Sequence, residues 1–216
     1  HVGGDEAAKK SWGSCALCQK KMKELGIGNV DGLQAHLISH MGKFLNEHGR
    51  QLVGWDEVIA GNLSKNTTVM VWRGTELAHE AIKHGYDVVM SPGAYCYFDM
   101  YQDAPGTQPV ANGGFIPTEK VYSYVPGSDL PEPERNMITG VQANLWTEHL
   151  PTPEYAEYML YPRALALAEI GWNGTKTKNY PEFKTRALAQ VEHLKAEGVN
   201  PFELKKEIGE RKEKMK

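Results

Sequence analysis

The chain has 216 residues, 41% of them hydrophobic and 24% charged, with a formal net charge of −3. That size and balance suit one globular domain with its own core. The slight acidity disfavours a nucleic-acid partner, and no apolar run reaches the roughly 18 residues that would span a membrane.

The chain opens on His1-Val2-Gly3-Gly4-Asp5-Glu6, with no signal peptide and no capping element ahead of it, which reads as a cut. Two glycines let a backbone turn sharply and let a ligand come close. Successive side chains of an extended segment point to opposite faces, so only a turn at a strand end aims both carboxylates into one cleft. A carboxyl kept protonated near neutral pH is what a general acid requires.

Residues 9–25 read as a short helical segment ending at Gly26 and Gly28. It carries Cys15-Ala16-Leu17-Cys18, a spacing that suits metal ligands or a local disulfide. His36 and His40 make a zinc site conceivable. A local disulfide or two free thiols fit better, because there is no second cysteine pair and the spacing between suits an amphipathic helix. Asp31 is read as the cap of a helix with Leu33, Leu37, Ile38, Met41, Phe44 and Leu45 at helical spacing, ending at Gly49. Sequons start at Asn62, Asn66 and Asn173, and such triplets are common by chance.

Residues 51–55 and 68–72 read as buried strands, joined by an irregular loop too short for the usual crossover helix. Thr75 is read as capping a helix that ends at Gly85, and residues 87–90 as a third strand. Residues 92–135 change character, with many Pro, Gly, Tyr and Asp and one short helical patch near 118–124. A loop that long is usually functional or disordered, and its aromatics argue against disorder. Residues 138–143 read as the fourth strand, 153–170 as one strong helix, and 180–198 as another. The last dozen residues read as a solvated helix or linker.

Alternating strands and helices call for an α/β fold with a parallel sheet. Asp5-Glu6, Trp55, Trp72, Tyr97 with Asp99, and Trp146 with Glu148 all fall just past a predicted strand end. In a (β/α)8 barrel that face carries the active site. Indole and phenol rings offer flat apolar faces with a polar edge, matching pyranose rings. Asp99 and Glu148 can accept hydrogen bonds from sugar hydroxyls. Carboxylates beside an aromatic box point to glycoside hydrolysis. Because Asp5 and Glu6 are adjacent, they do not readily flank a bond as nucleophile and acid, which favours a substrate-supplied nucleophile.

With these residues in hand, the sequence resembles the C-terminal half of the catalytic barrel of family 20 glycoside hydrolases, the β-N-acetylhexosaminidases. The resemblance rests on His1-Val2-Gly3-Gly4-Asp5-Glu6, Gly54-Trp55-Asp56-Glu57, Val71-Trp72-Arg73-Gly74, Tyr97-Phe98-Asp99 and Leu145-Trp146-Thr147-Glu148, in family order. Tyr158-Met159-Leu160-Tyr161-Pro162-Arg163 and Ala166-Leu167-Ala168-Glu169 also fit the family's last barrel helix. It implies the second half of a (β/α)8 TIM barrel, from the tip of strand 4 through strand 8. Residues 1–173 would form that partial barrel and 174–216 a C-terminal helix and charged tail. It implies Glu6 as acid and then base, Asp5 as holder of the substrate's acetamido group, and Tyr97 as donor to the acetamido oxygen. Trp55, Trp72 and Trp146 would box the sugar, and Asp99 and Glu148 would bind its hydroxyls. The substrate would be a glycan ending in an N-acetylhexosamine, hydrolysed exo and with retention, without metal or cofactor. Enzymes of this type commonly act outside the cytoplasm or in lysosome-like compartments. The expected partner is a second copy or the missing N-terminal half of the barrel, which also carries the family's sugar-gripping arginine. The alternative is a non-catalytic sugar-binding or structural fragment.

Overall fold

A computed structural model describes residues 1–174 and 178–208. In chain order the helices and strands are α1 (Ala16–Leu25), α2 (Val30–Glu47), β1 (Val53–Trp55), β2 (Thr68–Val71), α3 (Glu76–Lys83), β3 (Asp87–Met90) and α4 (Gly93–Cys96). Then come β4 (Met100–Tyr101), β5 (Asn112–Phe115), α5 (Thr118–Ser123), α6 (Glu132–Arg135), β6 (Ile138–Val141), α7 (Pro153–Leu160), α8 (Arg163–Asn173) and α9 (Tyr180–Ala196). The chain divides into two compact units, residues 1–90 with 129–139, and residues 91–128 with 140–216.

In the first unit β1, β2 and β3 pair in parallel, Val53 opposite Thr68 and Thr68 opposite Asp87. The sheet order is β1-β2-β3-β6. The start of β6 belongs to this unit, with Val88 donating to the Met137 carbonyl and Thr139 Oγ1 to that of Val88. Val69, Val71, Val88 and Met90 are buried, as expected where helices cover a parallel sheet. The link between β1 and β2 is irregular, as its length requires, with a 3-10 helix over Asp56–Ala60.

Two caps differ from expectation. Asn29, not Asp31, caps α2: its side chain accepts from Gly32 N at 2.8 Å. Asp31 lies in the first turn, where a carboxylate still favours the positive helix end. Thr75 stands before α3 but makes no side-chain cap, because its hydroxyl donates to Asp129 at 2.9 Å instead. Residues 9–25 form a 3-10 helix at Lys9–Gly13 followed by α1, whose left-handed Gly26 ends it.

The second unit holds most of the turn-rich stretch. This stretch contains a two-stranded parallel sheet, β4 with β5, that no sequence periodicity signalled, because its strands are two and four residues long. Helices α5, α8 and α9 pack together through Val121, Ala166, Ile170, Phe183 and Ala187, and Tyr122 stacks on Phe183 with centroids 4.4 Å apart. The single helix expected over 153–170 is two, α7 and α8, divided at Tyr161-Pro162. A proline inside a helical pattern removes a donor and crowds the preceding turn. Helix α9 starts from Asn179, whose side chain accepts from Glu182 N. A 3-10 turn at Leu204–Lys206 follows, and residues 209–216 of the charged tail lie outside the described residues.

Candidate active site

Residues 2 and 3 run beside β1 in the same direction. Val2 N donates to the Val53 carbonyl at 2.8 Å, and Trp55 N to that of Gly3 at 2.9 Å. The chain then turns through Gly3 (φ 70°) and Gly4 (φ 109°) into Glu6, which has φ 49°. Positive φ is uncommon in a residue with a side chain, and such strain clusters at functional sites. The turn is braced from α2. Gln34 Nε2 donates to the Gly4 carbonyl at 2.7 Å, and Lys9 Nζ donates to Gln34 Oε1 at 2.8 Å while pairing with Asp31 at 2.5 Å. Asp5 and Glu6 are both exposed. Gly54 permits the close approach: a Cβ there would lie 2.5 Å from Val58 Cγ1 and 3.1 Å from the Gly3 carbonyl.

Trp55 and Trp72 belong to the same unit. Trp55 is buried, 8% exposed, with the His1 ring edge-on at 5.0 Å. Trp72 is half-buried and its setting is tightly specified. The enclosed Asp56 carboxylate accepts from Trp72 N at 2.9 Å and Arg73 N at 3.1 Å through Oδ2, and from Arg73 Nε at 2.5 Å through Oδ1. Glu57 Oε2 accepts the Trp72 indole N–H at 3.1 Å. Burial raises the Glu57 carboxyl above its ordinary range, with the Asp56 charge adding to the rise. Lys9, Asp31, Gln34, Glu57 and Arg73 border a cavity of about 210 Å³, large enough for several waters.

The second unit brings Tyr97 and Trp146 together, edge to face with centroids 6.0 Å apart. The buried Asn144 accounts for this. Its N–H donates to the Cys96 carbonyl at 2.8 Å, its carbonyl accepts from Phe98 N at 2.7 Å, and its amide donates to Ser91 Oγ at 2.8 Å. Asp99 is 4% exposed. Its Oδ2 accepts from Asn112 at 2.8 Å, while Oδ1 is buried with no hydrogen-bond partner among the described residues. The Asp99 backbone is held by the fully buried Arg163, which donates to the Phe98, Met100 and Ile116 carbonyls and stacks over Phe98 at 4.8 Å. Burial lowers the Arg163 pKa to about 9, against the opposing pull of Asp99, so it stays charged at neutral pH. Glu148 lies exposed, two residues past Trp146.

Sequence reasoning gave no role to Asp56, Glu57, Arg73, Asn144 or Arg163. An acidic pair after one strand and an Arg two residues past the next was the available signal for the first three. Arg163 and Asn144 offered none, since their partners, backbone carbonyls for Arg163 and the Ser91 hydroxyl and Cys96 carbonyl for Asn144, are distant in sequence. Among the described residues no three His, Cys, Asp or Glu side chains cluster as metal ligands, and no helix is long and apolar enough to cross a membrane.

Residues 1–175 match the family model described as glycosyl hydrolase family 20, catalytic domain. The chain is 41% identical over 202 residues to a beta-hexosaminidase of Porphyromonas gingivalis, covering 93% of this chain and 26% of that protein. It is 37% identical over 175 residues to one from Vibrio furnissii, covering 79% and 29%. Among solved structures it is similar to the GH20 exo beta-N-acetylglucosaminidase of Vibrio harveyi in complex with N-acetylglucosamine. There the TM-score is 0.84 at 32% identity, over 94% of this chain and 33% of that one. The chain thus spans about a quarter to a third of the length of these relatives.

Proposed function

Since the chain belongs to glycosyl hydrolase family 20, its α/β fold being part of a (β/α)8 catalytic barrel, we propose that it carries the acid pair of an exo-acting, retaining β-N-acetylhexosaminidase. The observation that carries this reading is the strained, braced turn that presents Asp5 and Glu6 beside β1. The relatives' activities, named as beta-hexosaminidase and exo beta-N-acetylglucosaminidase, support it.

In this proposal Glu6 protonates the departing glycosidic oxygen. The substrate's own acetamido oxygen attacks the anomeric carbon, so an oxazolinium ion replaces the enzyme ester of ordinary retaining enzymes. Asp5, acting on the acetamido N–H, orients the group and stabilises the positive charge that develops. Glu6 then takes a proton from the water that opens the ring, and two inversions give net retention. Tyr97 donates to the acetamido oxygen, and Trp55, Trp72 and Trp146 wall the acetamido methyl and the sugar ring. Asp99 and Glu148 accept sugar hydroxyls. The buried, unpartnered Asp99 Oδ1 favours this, since an unmet buried acceptor is costly without a ligand's donor.

We further propose that the 216 residues alone turn over little or no substrate and either self-associate or need an N-terminal half-barrel. A chromogenic N-acetylglucosaminide assay, run on the chain alone and joined to such a half, tests both claims. Turnover should appear in the joined protein and fall by several orders of magnitude with Glu6→Gln. Near-normal turnover of that variant refutes the assignment, and sugar binding without turnover in the joined protein supports a non-catalytic module. A monodisperse monomer of the isolated chain in light scattering counts against self-association.

A further inference from the structure

Cys15 and Cys18 have no part in the sugar chemistry. Cys15 is the N-cap of the ten-residue helix α1, with extended backbone (φ −75°, ψ 117°), and its carbonyl accepts from Gln19 N at 2.9 Å. Cys18 is one turn on, on the same face. The two thiols are free and half-exposed. Ala16 and Leu17 between them are exposed, Leu17 by 77%, and Met22 alone of α1 is buried. A small molecule can therefore reach both sulfurs.

The two are chemically unlike. The Cys18 N–H, then the Cys18 thiol and the Leu17 N–H, hold the Cys15 thiol below its ordinary range. Its hydrogen bond to Cys15, then burial, raises Cys18. Cys96 is buried and pushed up to about 12, which makes it inert. Helical neighbours three apart have Cβ atoms about 5–6 Å apart, and a disulfide needs about 3.8 Å. The non-helical N-cap can supply that movement without unwinding α1. A short, exposed loop of this kind gives a bond that is readily reduced again.

We propose that Cys15 and Cys18 form a reversible dithiol–disulfide couple, with Cys15 attacking, Cys18 resolving, and a low-molecular-weight disulfide such as oxidised glutathione as co-reactant. Cys15 gives up its proton and its thiolate attacks one sulfur of the glutathione disulfide. That S–S bond breaks, and the departing glutathione thiolate takes up a proton. Cys18 then loses its proton and attacks Cys15 Sγ of the mixed disulfide, forming the Cys15–Cys18 bond and releasing the second glutathione as a thiol. Two protein thiols are oxidised and one glutathione disulfide is reduced to two thiols.

The test equilibrates the native 216-residue chain with glutathione buffers of graded ratio, quenches with acid, alkylates, and maps the peptides by mass spectrometry. The Cys15–Cys18 bond should appear and disappear in one reversible two-electron step, with Cys96 still a thiol. In Cys18→Ser the mixed disulfide should accumulate at Cys15, and Cys15→Ser should react more slowly, because Cys18, one turn into the helix, lacks the N-cap position that favours the Cys15 thiolate. A wild-type chain that stays reduced at every ratio, that cross-links to Cys96, or that stops at a mixed disulfide overturns the proposal. Equal reaction rates of the two variants overturn the assignment of the attacking thiol.

Discussion

Replacing Asp56 by Ala tests whether one enclosed carboxylate holds the end of β2 in place. The substitution removes the acceptor of Trp72 N, Arg73 N and Arg73 Nε at once. The Asp56 side chain is wholly enclosed, so water does not replace it without rearrangement. A hydrogen bond to a charged acceptor is worth about 1.5–3 kcal/mol. The Arg73 side chain is 43% exposed, so its share is screened and adds little. The two backbone bonds at the low end give about 3 kcal/mol, and relief of the repulsion with Glu57 offsets part, leaving about 2–3 kcal/mol. For a chain of this size that lowers Tm by roughly 4–12 °C. Guanidinium chloride unfolding, followed by circular dichroism and by tryptophan emission, should show a lower midpoint with an unchanged slope. Asp56→Asn keeps one acceptor oxygen for the backbone pair but turns an amide donor toward Arg73, so it should lose about half as much. A loss under about 0.5 kcal/mol for the Ala variant would falsify the reasoning, since the two N–H groups would then have no need of this partner.

Three further outcomes follow from the geometry. Gly54→Ala should destabilise by about 1–3 kcal/mol through overpacking. Adding Val58→Ala should recover only part of it, because the Gly3 carbonyl still opposes the new Cβ; complete recovery in a thermal melt would remove the backbone contact from the account. Arg163→Met should lose about 3–5 kcal/mol, since it leaves buried carbonyls without donors. A melting temperature within about 2 °C of the parent's would show that the buried cation is dispensable. For Glu57, burial raises the folded-state pKa above the ordinary value of 4.5. Between the two values the folded chain keeps a proton that the unfolded chain has released, so this group's contribution to stability falls as pH rises through the window. The Tm of Glu57→Gln relative to the parent should therefore climb with pH from 4.5 upward, and a flat or falling difference contradicts the burial argument.

What was readable in advance follows from how local each signal is. The strands at Val53–Trp55, Thr68–Val71 and Asp87–Met90 carry continuous apolar runs bounded by polar residues, and each was legible. The Gly3-Gly4 turn was legible because a left-handed backbone favours glycine, whereas the positive φ of Glu6 was not, since no residue type announces it. Asn29 was overlooked for Asp31 because both precede the periodic run and only side-chain direction separates them. The β4–β5 pairing was hidden because strands this short have no period to read. Of the three indoles, Trp72 stands just past β2 as expected, whereas Trp55 is the last residue of β1 and Trp146 lies five residues past β6. The Asp56–Glu57 bridge to Trp72 and Arg73 needed the parallel register that sets β2 beside β1.

The buried guanidinium also sets an order of assembly. Its acceptors at Phe98, Met100 and Ile116 precede Arg163 by 65, 63 and 47 residues, so none is satisfied until a long loop has closed. Strands β4 and β5 are therefore expected to be completed only when α8 docks, whereas β1 and β2 can pair from neighbouring segments. During synthesis, the carbonyls around Asp99 meet this partner only after residues that leave the ribosome well after them, and amide exchange at Ile116, whose N–H donates to the Tyr101 carbonyl, would time the pairing of β4 with β5.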